Sequence, residues 1–213
     1  MTMMTLRPPI TNPLSRAYFG IDYSMSSPAI ASYVGEARDF NWKKVQFHFL
    51  TKDEKFVGSW LLDDEVEPDW CGGSHCPSEF PNNELRFNFI AKWAMVRIRG
   101  PHWEIPRVIA LEDYAMGARG RVFEIAENTG ALKQDLRANG FNFKLYPPTV
   151  VKKFATGKGN SDKDAMYAAW MKETGYDIWK ILTPGRTKIS SPITDIVDSY
   201  FILKKLIEED NGH

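Results

Sequence analysis

Four acidic residues occupy positions where a soluble chain usually avoids charge. Asp22 interrupts the apolar run of "GIDYSMSSPAIASY" (20–33), Glu112 ends "VIALE" (108–112), and Asp195 and Asp198 lie three apart in "SPITDIVDSYFILKKLI" (191–207). Withdrawing an ionised carboxylate from water is costly unless a cation or hydrogen-bond donors receive it. Singly, each acid has an ordinary structural explanation. Asp22 can cap a turn with Ser24 or Ser26, and Asp195 and Asp198 can answer the dipole of a helix N-terminus. As a set they are hard oxygen donors that repel one another and call for a cation, which favours Mg²⁺ with Mn²⁺ as a substitute. Two such ions roughly 4 Å apart form the arrangement that activates water and steadies the leaving oxygen in phosphodiester hydrolysis.

Those acids need a scaffold. Residues 17–23, 29–34 and 43–51 are short runs rich in β-branched and aromatic residues, and predict an antiparallel meander with Asp22 in its first strand. "RVIALED" (107–113) predicts a central strand in which Glu112 and Asp113 face opposite ways. Between them, "NELRFNFIAKWAMVRIR" places Leu85, Phe89, Trp93 and Val96 at helical spacing. A helix over 118–138 stops at Gly140, and a strand follows at 141–146. Pro147 and Pro148 open a short helical piece, interrupted at 157–159, after which Ser161 can cap the next helix. In the last helix Ser191 is the expected cap, Pro192 the first helical residue, and Ile196, Tyr200, Leu203 and Ile207 the apolar stripe; Asp195 and Asp198 then share a face. The order is that of an α/β fold with a mixed sheet.

The chain has 213 residues, 43% hydrophobic and 25% charged, an ordinary composition for a soluble globular protein. No apolar run reaches the roughly 20 residues of a membrane helix, and the first 16 residues lack the pattern of a signal peptide, so a cytoplasmic protein is expected. Net charge is zero but unevenly spread: residues 52–81 carry two basic residues against eight acidic, and 140–190 carry nine against four. A basic region beside an acidic insertion (52–82) remains compatible with a nucleic-acid partner.

The order and spacing of "GIDYS", "ALEDY", "GKGNSDKDAM" and "TDIVDSYFI" resemble RuvC-type Holliday junction resolvases, those of bacteriophages in particular. The resemblance covers roughly 17–207, with residues 1–16 and 208–213 as tails and no counterpart for 52–82. It implies an RNase H-like fold with a five-stranded mixed sheet and helices on both faces. It also implies two Mg²⁺ ions held by Asp22, Glu112, Asp195 and Asp198, with Lys163 acting at the scissile phosphate. The substrate it implies is a four-way DNA junction or other branched DNA, cut to 5′-phosphate and 3′-hydroxyl ends by a homodimer whose contact helix corresponds to 118–138, with Val122, Ile125, Ala126, Thr129 and Leu132. A nuclease of the same fold acting on flaps, single strands or RNA, and a DNA-binding module without catalysis, are the alternatives.

Other features are less specific. Lys152, Lys153, Lys158 and Lys163, with Lys172, can track a DNA backbone or form a solvated helix face. "TGKGNS" (156–161) lacks the spacing and ending of a nucleotide-binding loop, though its amides and Lys158 could hold a phosphate. Cys71, His75 and Cys76 offer three ligands where structural zinc takes four. Trp60, Trp70, Trp103 and Phe80 can stack on opened bases or pack internally.

Overall fold

The computed structural model describes residues 14–60, 71–100, 104–114 and 121–212. Strands β1 (Arg16–Asp22), β2 (Ala29–Gly35) and β3 (Gln46–Thr51) form the antiparallel meander. Later in the chain, β6 (Arg107–Glu112) joins β1 in parallel and β7 (Phe143–Tyr146) joins β6. The sheet does not stop at these five. Residues expected to form an inserted arm supply β4 (Gly58–Trp60) and β5 (Cys71–His75), and β5 lies parallel to β3, giving a seven-stranded order β4-β5-β3-β2-β1-β6-β7.

"CGGSH" reads as loop because paired glycines usually mark turns, yet here glycine serves close packing. A Cβ on Gly73 would lie 1.7 Å from the carbonyl oxygen of Phe56, in the 3₁₀ turn Glu54–Phe56. The acidic stretch with Asp63, Asp64, Glu65 and Glu67 falls outside the described residues, as do residues 1–13, Trp70 and Trp103.

Helices cover both faces. On one lie α1 (Asn83–Arg99) and α2 (Val122–Ala138), packed on Phe19, Ile21, Ile109 and Leu111. On the other lie α3 (Pro148–Thr156), α4 (Lys163–Thr174), α5 (Ile178–Leu182) and α6 (Ile193–Asn211), with Tyr18, Ala31, Phe47 and Ala110 beneath them. Alternate residues of β1 and β6 thus feed opposite cores.

Four local expectations change. Helix α1 buries Phe87, Ile90, Ala91, Ala94, Met95 and Ile98, while Leu85 and Val96 of the expected stripe are 49% and 67% exposed. Its sequence is apolar on two sides, so spacing alone could not choose between them. Asp162, not Ser161, caps α4 by accepting from the amide of Ala165 at 2.9 Å, and Ser161 turns back to the carbonyl of Lys158 at 2.8 Å. Pro192 takes the cap position of α6, and Ser191 makes no cap bond there. The helix runs on through residues expected to be a tail: Asp210 accepts from Tyr18 at 2.5 Å and Glu209 from Tyr146 at 2.6 Å. The stripe Ile196, Tyr200, Leu203 and Ile207 is buried as expected.

Candidate active site

Gly20 sets the site's dimensions. A Cβ there would stand 2.3 Å from the amide nitrogen of Leu203 and 2.4 Å from the carbonyl oxygen of Ser199, so α6 crosses β1 in backbone contact. Two residues along the strand, on the same face, Asp22 ends β1 beneath the first turns of α6, where Asp195 and Asp198 hang. The β1–β6 register places Ile21 beside Leu111, and the next residues, Asp22 and Glu112, end adjacent strands. Asp113 faces the other way, with Lys133 of α2 3.7 Å from its carboxylate. Asp22 does not cap the turn that follows it; Ser24 does, accepting from the amide of Ser27 at 3.0 Å.

The four carboxylates sense one another. Burial first, then Asp195, Glu112 and Asp198, drive the pKa of Asp22 well above the usual carboxylate range, with Lys163 opposing. Glu112 is pushed up to about 8 by burial and by Asp198 and Asp195, against Lys152. Asp198 reaches about 7 through burial and Asp195, against Lys152 and Lys163. Asp195 is raised by burial and restrained by the hydroxyls of Ser191, Ser27 and Thr194 and by Lys163. Thr194 donates to its Oδ1 at 3.2 Å, whereas Oδ2 is buried without a hydrogen-bond partner.

Lys163 opens α4, and Lys152 stands on α3 across the cleft. Both line a cavity of about 90 Å³ with Asp162, Met166, Tyr167, Ile189, Thr194, Val197 and Asp198. The fold therefore brings together Asp22, Glu112, Asp195, Asp198 and Lys163, the five residues singled out from the sequence. It adds Lys152 as the neighbour of Glu112 and Asp198, and Ser27, Ser191 and Thr194 as hydroxyls around Asp195. Lys153 and Lys158 are exposed, on the last turn of α3 and just after it, and neither is among the cations acting on the carboxylates. Lys152 is four residues from the end of a short basic helix, a position that composition alone assigns only to the surface.

An all-carboxylate donor set, one buried oxygen without a partner, and the nearby countercharge of Lys152 and Lys163 fit a hard divalent cation. The donors are not pre-gathered: among the described residues no group of three or more His, Cys, Asp or Glu is already arranged to hold a metal ion. Elsewhere, Cys71 and Cys76 are free and buried while His75 is exposed, and Phe80 packs on Phe89 with ring centroids 5.6 Å apart. No helix among the described residues is long and apolar enough to cross a membrane.

No protein-family model matches the chain, and no curated protein sequence matches it. Solved structures do. RuvC of Thermus thermophilus in complex with a Holliday junction substrate is 14% identical, over 88% of this chain and 92% of that one, with a TM-score of 0.50. Another structure of Thermus thermophilus RuvC is 15% identical over 92% and 96% of the two chains (TM-score 0.49). The yeast mitochondrial Holliday junction resolvase Ydc2 is 11% identical over 96% and 85% (TM-score 0.48). At such identities the likeness is one of fold. The chain has a RuvC-type, RNase H-like fold, in which β4 and β5 are the strands beyond the five expected from the sequence.

Proposed function

We propose that this chain is a divalent-metal-dependent endonuclease that cuts branched DNA, with the four-way junction as its main substrate. The observation that carries this reading is the convergence of Asp22 and Glu112, at the ends of adjacent strands, with Asp195 and Asp198 of α6, with Lys152 and Lys163 acting on them as countercharge. These four residues would hold Mg²⁺ or Mn²⁺, two ions in all. Bound there, the metal supplies a Lewis acid that makes water a nucleophile near neutral pH and offsets charge on the phosphodiester.

The protein's own groups do the rest. Lys163, at the mouth of the cleft, donates to a non-bridging oxygen of the scissile phosphate, and Lys152 supplies a second positive charge from the opposite wall. Lys153 and Lys158 extend this positive edge along the DNA backbone. Hydroxyls of Ser27, Ser191 and Thr194 hold Asp195 in one orientation, so its second oxygen stays directed into the site.

A homodimer through α2 completes the reading. Val122, Ile125 and Ala126 are half-buried, and Phe123 beside them is 84% exposed, whereas Thr129 and Leu132 are committed to the core. A two-fold pair of sites suits a two-fold junction.

The deciding test is cleavage of a labelled four-way junction beside linear duplex, a flap and single-stranded RNA, in Mg²⁺ and in EDTA, by the wild type and by Asp22→Asn. Paired nicks in the junction, lost in EDTA and in the variant, are expected. Cutting of every branched form would make it a debranching nuclease, and preferential cutting of RNA would make it a different nuclease on this fold. No metal-dependent cutting of any substrate would leave a DNA-binding module.

A further inference from the structure

A second cavity lies outside the carboxylate cleft, where the chain leaves the added strands and enters α1. It measures about 380 Å³ and is lined by Ser78, Glu79, Phe80, Asn82, Asn83 and Arg86. Arg86 donates through Nη2 to the carbonyl of Met25, and its Nε is buried without a hydrogen-bond partner. Lys52 reaches the same place from the end of β3, donating to the carbonyl of Ser78 at 3.2 Å. Both cations act on the buried Cys76 thiol, pulling against the burial that raises its pKa. Among the described residues each is held by a backbone carbonyl, and no ion pair to a carboxylate accompanies either bond. Two cations converging without a countercharge repel one another, a cost that an anion removes. Glu79, exposed at the rim, is the one carboxylate among the described residues that lines the cavity.

We propose that this cavity is a second phosphate site, in which Arg86, Lys52 and Asn83 hold the backbone of a DNA strand away from the point of cleavage. The assignment rests on the nuclease reading above. It also links binding to the catalytic cleft through the chain itself: Arg86 grips Met25, in the loop that leaves Asp22, and two residues on the Ser27 hydroxyl meets Ser191 at 3.2 Å, beside Asp195. A phosphate seated on Arg86 would fix that loop, so the added segment would contribute to aligning a strand while touching none of the metal-binding carboxylates.

The test uses the full chain with a labelled four-way junction and a labelled linear duplex, followed by anisotropy in EDTA across a salt series. Lys52→Gln removes one cation. Asn83→Asp places a negative charge on the cavity wall in the first turn of α1, where an acid favours the helix, so weaker binding with an unchanged or higher Tm is not a folding defect. Both variants are expected to bind DNA several-fold more weakly, with the salt slope of Lys52→Gln lower by about 0.9. Variants that match the wild type in affinity and slope overturn the phosphate site and leave the nuclease reading intact. A wild type that binds neither DNA overturns both. Millimolar inorganic phosphate that raises the Tm of the wild type but not of the variants, with DNA affinity unaltered, would assign the cavity to a free anion and overturn the DNA assignment.

Discussion

On the α6 side of the sheet every buried tyrosine hydroxyl has a partner: Tyr18 with Asp210, Tyr33 with the carbonyls of Glu36 and Asp39, Tyr146 with Glu209, Tyr167 with Asp177, Tyr200 with Glu173. Trp170 likewise donates to the carbonyl of Tyr176 at 2.7 Å. The α1 and α2 side is built otherwise. Tyr23 Oη, Trp93 Nε1, the Nε atoms of Arg86 and Arg97 and both amide atoms of Asn128 are buried there without hydrogen-bond partners. Leaving a buried polar atom unpaired costs about 1–3 kcal/mol, so the second face carries a penalty that the first avoids. On the α6 face the one buried side-chain atom left unpartnered among the described residues is Asp195 Oδ2, inside the candidate metal site. The satisfied face thus keeps its single unsatisfied atom at the candidate metal site, and the unsatisfied face belongs to the helices whose outer surfaces carry Val96 and Phe123.

Four substitutions or conditions test this contrast, the largest effect first. Gly20→Ala drives a methyl into the backbone of α6, costing about 3 kcal/mol and lifting Asp195 and Asp198 off Asp22. Urea unfolding should show the loss, and junction cleavage should fall with it; an unchanged midpoint would mean that α6 is not seated on β1 as described. Asp22→Asn should lower cleavage by about 10²–10³-fold while raising the Tm of the metal-free protein, because it removes a buried charge that its neighbours oppose. A lowered Tm would argue that the carboxylate is structurally required.

The pH dependence has a definite sign. Glu112 and Asp198 titrate near 8 and 7 when folded, above their unfolded values, so the folded state holds more protons across that range. In EDTA their contribution to stability is full below about pH 4 and is lost as pH rises to about 8. Mg²⁺ should restore Tm most at the alkaline end, since it binds the ionised carboxylates of the native state. The smallest effects come from a pair of tyrosines. Tyr146→Phe breaks a bond to the Glu209 carboxylate and should cost about 1.5–3 kcal/mol, whereas Tyr23→Phe removes an unpartnered hydroxyl and should be neutral or slightly stabilising. Equal losses in urea midpoint would dissolve the contrast between the faces.

The site was largely legible in the sequence because strand alternation and helical spacing are both local. Asp22 and Glu112 each end an apolar run, and Asp195 and Asp198 are three apart, so their faces follow from periods of 2 and 3.6. What escaped depended on contacts distant in sequence. Gly72 and Gly73 look like a turn until Phe56 is seen against Gly73. The buried face of α1 could not be chosen while both sides were apolar, and Lys152 becomes a neighbour of Glu112 only when α3 packs against α4 and α6. The caps of α4 and α6 moved by one residue, because adjacent Ser, Asp and Pro residues all suit a helix start.

The sheet's two margins have a consequence for how the protein behaves at high concentration. At one margin the outermost strand β7 has four residues, while the long strands β1, β2 and β3 are paired on both sides. A long unpaired margin is a template for another chain's backbone, and a short one offers little to extend. Growth of the sheet beyond β3 has covered what would otherwise be a six-residue open edge of alternating buried side chains. By pairing with β3, β5 removes that strand as a template for another chain, whatever else the added strands do.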